Sequence, residues 1–145
     1  DDGGSDKGAV YVLYRGSASA TTIASHIKVS GTAGGFTAAL ADSDNFGVAV
    51  ATADMNGDGV MEMVVGAFGD AGGGTRKGAI YVLYRGFASA TAIASHWKVS
   101  ATAGGLTAVL DDEDLFGVSV ATGDMDGNGI MDIVVGARQD DDGGA

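Results

Sequence analysis

The sequence predicts an all-β protein made of repeated four-stranded antiparallel sheets, and three observations carry that expectation. Residues 1–70 and 71–140 of the 145-residue chain align without a gap and are identical at 47 of 70 positions. The 26 glycines, with no proline, cluster as in Gly34-Gly35 and Gly72-Gly73-Gly74 between short apolar runs, as turns do between strands. Each period also holds four strand-length runs whose patterning differs in a graded order. With 46% hydrophobic and 19% charged residues, the chain has the makings of a packed core rather than of a disordered segment.

The first run, Gly47-Val48-Ala49-Val50-Ala51-Thr52, consists of small residues and suits a strand crowded near an axis. The next two, Met61 to Ala67 and Ala79 to Tyr84, are apolar on both faces and need protein on each side. The last, His26-Ile27-Lys28-Val29-Ser30, alternates polar with apolar and reads as a half-exposed outer strand. Strands graded in this way predict a blade of a β-propeller, four strands radiating from a central channel.

Two periods do not close such a ring, which typically takes about four to eight blades. The chain enters at a third strand, residues 9–14, and stops after a second, residues 130–137, while residues 141–145 restart the repeat. The expectation is one complete blade flanked by two half-blades whose edges pair with other copies of the chain. A closed homo-oligomer follows, six blades for a trimer or eight for a tetramer, with the tetramer preferred.

Nineteen acidic against eight basic residues give a formal charge of −11, which argues against nucleic acid or anionic membrane as partners and favours cations. Without cysteine there is neither a disulfide frame nor a thiolate metal site. No apolar run approaches membrane-spanning length and no signal peptide is visible; a start at Asp1 rather than Met predicts an excised or processed piece.

Six of the nineteen acidic residues fall in two loops between first and second strands. Asp54-Met55-Asn56-Gly57-Asp58-Gly59-Val60-Met61-Glu62 has oxygen-bearing side chains at its first, third, fifth and ninth positions and Gly at the sixth. Asp124-Met125-Asp126-Gly127-Asn128-Gly129-Ile130-Met131-Asp132 repeats that order. Ca²⁺ takes six to eight oxygens at flexible geometry. The candidate ligands are the side chains of Asp54, Asn56, Asp58 and Glu62 with the Val60 carbonyl, and those of Asp124, Asp126, Asn128 and Asp132 with the Ile130 carbonyl. One Ca²⁺ per repeat, two per chain, would bring the formal charge from −11 to −7. This is not an EF-hand, because the twelfth position is Val65 or Val135. Mg²⁺ wants a more rigid octahedral shell, and Zn²⁺ lacks Cys and paired His. The competing reading is a metal-free Asx turn.

Other features have plainer readings. Asp111-Asp112-Glu113-Asp114 reads as a solvated turn, and the acidic turn Asp140-Asp141-Asp142, whose counterpart Asp70-Ala71-Gly72 lacks the charge, as a surface loop. His26 and His96 read as outer-strand residues, Trp97 and Phe87 as packing between blades, and Arg15 and Arg85 as partners of neighbouring acids. No nucleophile elbow, Ser-His-Asp arrangement or phosphate loop is present, so an enzyme acting on glycans or lipids is the least favoured class.

The order Phe46-Gly47, Asp54 to Gly59, Val64-Val65-Gly66-Ala67, Gly78-Ala79-Ile80-Tyr81-Val82-Leu83 resembles the FG-GAP repeats of integrin α-subunit propellers, and still more the long bacterial arrays of such repeats. It recurs at Phe116-Gly117, Asp124 to Gly129 and Val134-Val135-Gly136-Ala137, and in part at Gly8 to Leu13. The resemblance implies a calcium-binding propeller, an extracellular or cell-surface setting, and a structural or adhesion-type role toward a protein or glycan, with no membrane insertion. The alternative is an excised or engineered fragment with no ligand beyond calcium.

Overall fold

A computed structural model of the chain describes residues 4–87 and 92–141, so the restart of the repeat lies outside the described residues except for Asp141. Eight strands appear in order: β1 (Val10–Arg15), β2 (Ile23–Val29), β3 (Val50–Ala53), β4 (Glu62–Ala67), β5 (Ala79–Tyr84), β6 (Ser95–Ser100), β7 (Phe116–Gly123) and β8 (Asp132–Ala137). They form three sheets, β1-β2, β3-β4-β5-β6 and β7-β8, in which every neighbouring pair is antiparallel.

Patterning explains where each strand sits. β4 is buried along its whole length and β5 along all but its last residue, as runs apolar on both faces require. One face of this central sheet, with Met63, Val65, Tyr81 and Leu83, packs against Val10, Val29, Phe36 and Phe46. The opposite face, with Val64, Ile80 and Val82, packs against Phe116, Val120, Ile133 and Val135. β6, the alternating strand, is an edge of its sheet and keeps partly exposed positions.

The small-residue run differs from expectation, because β3 begins only at Val50. Gly47 N–H donates to the Gly66 carbonyl and Gly66 N–H to the Ala49 carbonyl, both at 2.9 Å, so residues 47–49 bulge outward around a single partner. In the second copy the register jumps from Phe116↔Ala137 to Ser119↔Gly136, the same distortion.

That bulge forms the junction between sheets. Gly78 bridges Phe116 and Gly8 bridges Phe46, each in parallel sense. Gly78 has φ +91° and a Cβ there would lie 2.0 Å from the Phe116 carbonyl oxygen; one on Gly117, at φ +92°, would lie 2.3 Å from that of Ala79. Backbone meets backbone, which only glycine allows. Gly78→Ala is therefore expected to lower stability by more than about 2 kcal/mol in urea unfolding, through clash and a left-handed φ together.

Candidate metal centre

The two acidic loops span the tight connections β3–β4 and β7–β8, and the ninth-position acid is the first residue of β4 or β8. Glycines at φ +74° and +83° (Gly57, Gly59), and at +77° and +85° (Gly127, Gly129), turn the chain so that alternate side chains point inward. The Asp54 carboxylate accepts from Asp58 N–H at 3.0 Å and Gly59 N–H at 2.8 Å. Asp124 accepts from Gly127, Asn128 and Gly129 N–H at 2.8–3.0 Å. Val60 and Ile130 N–H donate to Asp58 Oδ1 and Asn128 Oδ1, each at 2.7 Å. The ninth-position acids reach back across each loop: Glu62 Oε2 accepts Met55 N–H and Asp132 Oδ2 accepts Met125 N–H, both at 2.8 Å.

In the second loop, carboxylate oxygens of Asp124, Asp126 and Asp132 converge to within 4.8 Å of one another. The first loop exchanges two of the residue types, with Asn56 where the second has Asp126 and Asp58 where it has Asn128. Each loop therefore holds three carboxylates and one amide. The amide hydrogen-bonds its carboxylate neighbour in both, Asn56 Nδ2 to Asp58 Oδ2 at 2.9 Å and Asn128 Nδ2 to Asp126 Oδ2 at 3.0 Å. Each carboxylate oxygen has two lone pairs, so the backbone bonds leave acceptor capacity for a cation.

Glu62 is only 1% exposed. Burial pushes its carboxyl above the usual range, the Met55 N–H pulls it back, and Asp58 and Asp54 push it up again. A cluster of like charges around a buried carboxylate is what a divalent cation neutralises, and this oxygen-only donor set suits Ca²⁺. The loops also lie side by side, with Asp54 to Gly57 facing Gly129 to Met131 across a cleft of about 240 Å³.

One acid outside the loops, Asp114, contradicts its reading as solvated. Asp114 and Asp44 are buried, at 1% and 3% exposure, because each turns inward to accept the N–H three residues back, Asp111 or Ala41, at 2.7 Å. Asp70 is buried as well: its carboxylate accepts Tyr81 O–H and Lys98 Nζ–H at 2.8 Å, and Gly72 N–H at 2.8 Å. Lys98 and Tyr81 have repeat counterparts in Lys28 and Tyr11, and Asp70 in Asp140, which is the sequence signal that could have found this cluster.

Further corrections concern arginines and aromatics. Arg15 donates to the Ala18 and Ala20 carbonyls nearby in the chain and Arg85 to Tyr14 Oη, 71 residues away, so these bonds go to neutral oxygens rather than to acids. Phe87 is 63% exposed, not buried between sheets of this chain, whereas Trp97, 43% exposed, lines a groove with Phe116 and Ile133 of the next sheet. His96 lies on the edge strand β6, with its ring edge-on to Phe36 at 5.1 Å.

Burial raises the Asp44 carboxyl above 3.8, against the Ala41 N–H that lowers it. An acid whose folded pKa is raised takes up a proton on folding, so stability falls as pH climbs from about 3.8 through the raised value. Melting temperatures of wild type and Asp44→Asn across that range are expected to diverge as pH rises, with wild type losing relative stability.

Compared with known families, residues 46–83 and 116–145 match the FG-GAP repeat. The comparison with curated proteins gives no match.

Proposed function

The chain carries FG-GAP repeats, the repeats of integrin-like β-propellers, and from that premise we propose that it is a calcium-binding propeller segment that self-assembles and serves as a structural or adhesion-type interaction module rather than an enzyme. The observation that carries the metal reading is the matched donor set: three carboxylates and an amide at equivalent places in both loops, converging within 4.8 Å in the second. The ion would be held by Asp54, Asn56, Asp58, the Val60 backbone and Glu62, and by Asp124, Asp126, Asn128, the Ile130 backbone and Asp132. It would staple each inner hairpin and offset the repulsion at Glu62. Isothermal titration with Ca²⁺ is expected to give two sites per chain, with Asp54→Ala and Asp124→Ala each removing one. No heat, together with no metal found by elemental analysis after dialysis, would overturn it.

Self-assembly is supported by unequal burial of equal sequence. Tyr81 and Leu83 are 1% and 0% exposed, while their repeat counterparts Tyr11 and Leu13 are 54% and 56% exposed. Exposed apolar strand faces of this kind invite a further sheet. A ring of three or four copies, with four preferred, buries them, and native mass spectrometry in calcium is expected to show one such species. A protein or glycan ligand on the loops and an extracellular or cell-surface setting complete the reading, on the strength of the family.

A further inference from the structure

Deepening the self-assembly reading, on which it rests, we propose that the apolar groove beside β8 is a socket for Tyr11 and Leu13 of a second copy, whose β1 adds antiparallel to β8, and that Asp140 receives that copy's Tyr11 and Lys28.

The groove, about 460 Å³, is lined by residues that include Ile80, Val99, Leu106, Phe116, Ile133 and Val135. One period earlier the corresponding residues are Val10, Val29, Phe36, Phe46, Met63 and Val65. Those six enclose Tyr81 and Leu83 in the main core, with the Tyr81 ring edge-on to Phe36 at 5.4 Å and to Phe46 at 5.8 Å. The groove is thus the same pocket one period on, and the residues that would fill it by repeat are Tyr11 and Leu13. Both are more than half exposed on their own chain.

Strand pairing gives the register. β4 and β5 pair Met63↔Leu83, Val64↔Val82 and Val65↔Tyr81. Shifted by one period, β8 meets the second copy's β1 as Ile133↔Leu13, Val134↔Val12 and Val135↔Tyr11. Among the described residues β8 has β7 alone as a neighbour and β1 has β2 alone, so both outer edges offer backbone donors and acceptors. Val134 is 47% exposed where Val64 is fully buried, as a strand awaiting its neighbour would be.

The polar cluster adds charge complementarity. Asp70, at the end of the turn after β4, binds Tyr81 O–H and Lys98 Nζ at 2.8 Å. Asp140 stands at the same place after β8, and the second copy brings Tyr11 and Lys28 with β1 and β2. The contact is head-to-tail, joining different surfaces of the two copies, and so propagates, to a ring where the rotation between copies closes.

The chain has no native cysteine, which makes cross-linking the direct test. Mixing Val12→Cys chains with Val134→Cys chains in calcium and oxidising mildly is expected to give a covalent heterodimer at least tenfold faster than pairing Val12→Cys with the out-of-register Ile133→Cys. Tyr11→Ser, at an exposed position, is expected to weaken assembly at least tenfold while leaving the circular dichroism of the chain unchanged. Multimers in native mass spectrometry without preference for the Val12–Val134 link would overturn this register and socket while leaving self-assembly standing. A monomer at all concentrations would overturn both.

Discussion

Chelating calcium is expected to lower the unfolding temperature by on the order of 10–20 °C relative to a calcium-saturated sample. A ligand that binds only the folded state stabilises it by about 2.7 kcal/mol per site at one hundred times its dissociation constant. For a site of the extracellular class, with a dissociation constant on the order of 10⁻⁴ M, that means about 10 mM Ca²⁺. Two sites then contribute about 5 kcal/mol, and each kcal/mol shifts the melting point of a domain this size by roughly 2–4 °C. Differential scanning calorimetry with and without EDTA reads the shift directly. Asp54→Ala with Asp124→Ala should melt near the chelated temperature and respond little to EDTA. An unchanged melting point in excess EDTA would remove calcium from the account, leaving the loops as metal-free Asx turns.

Leu83→Ala is expected to destabilise the chain by about 3 kcal/mol, within the range of about 2–5 kcal/mol for buried leucines, whereas Leu13→Ala should change the monomer by less than about 0.5–1 kcal/mol. The two leucines occupy the same repeat position, yet one is fully buried and the other 56% exposed. Urea unfolding at a dilution that keeps the chain monomeric isolates this contrast. At concentrations where copies associate, Leu13→Ala should lose its neutrality, because its cost moves from folding to assembly. Equal effects of the two substitutions in the monomer would mean that β1 is as well covered as β5, against the burial seen here.

Much of this architecture was legible because apolar periodicity is a local property. Residues 79–84 are apolar on both faces and became β5; the run 61–67 became β4 from Glu62 onward. The acidic loops were legible because their oxygen donors are spaced along the chain rather than gathered from distant elements. What escaped depended on partners remote in sequence. Asp70 looks like a turn residue until Lys98 and Tyr81 arrive from β6 and β5. Asp114 sits in a run of four acids, which charge patterning assigns to solvent, yet its bond to Asp111 N–H lets it turn inward beside the buried Leu115. The start of β3 was misplaced because a bulge is defined by its partner strand: nothing in Gly47-Val48-Ala49 itself says that Gly66 will bond on both sides of it.

The junction at Gly78 and Phe116, with its twin at Gly8 and Phe46, has a consequence for how such chains can grow. Adjacent sheets there touch through main-chain atoms, so this one contact depends on the glycines, while the faces around it are matched by side-chain packing. A duplicated unit inserted in frame would meet a matching surface at once, without prior co-adaptation of side chains at this contact. At each such joint the two glycines would be the fixed grammar, and the packed faces beside them the variable vocabulary.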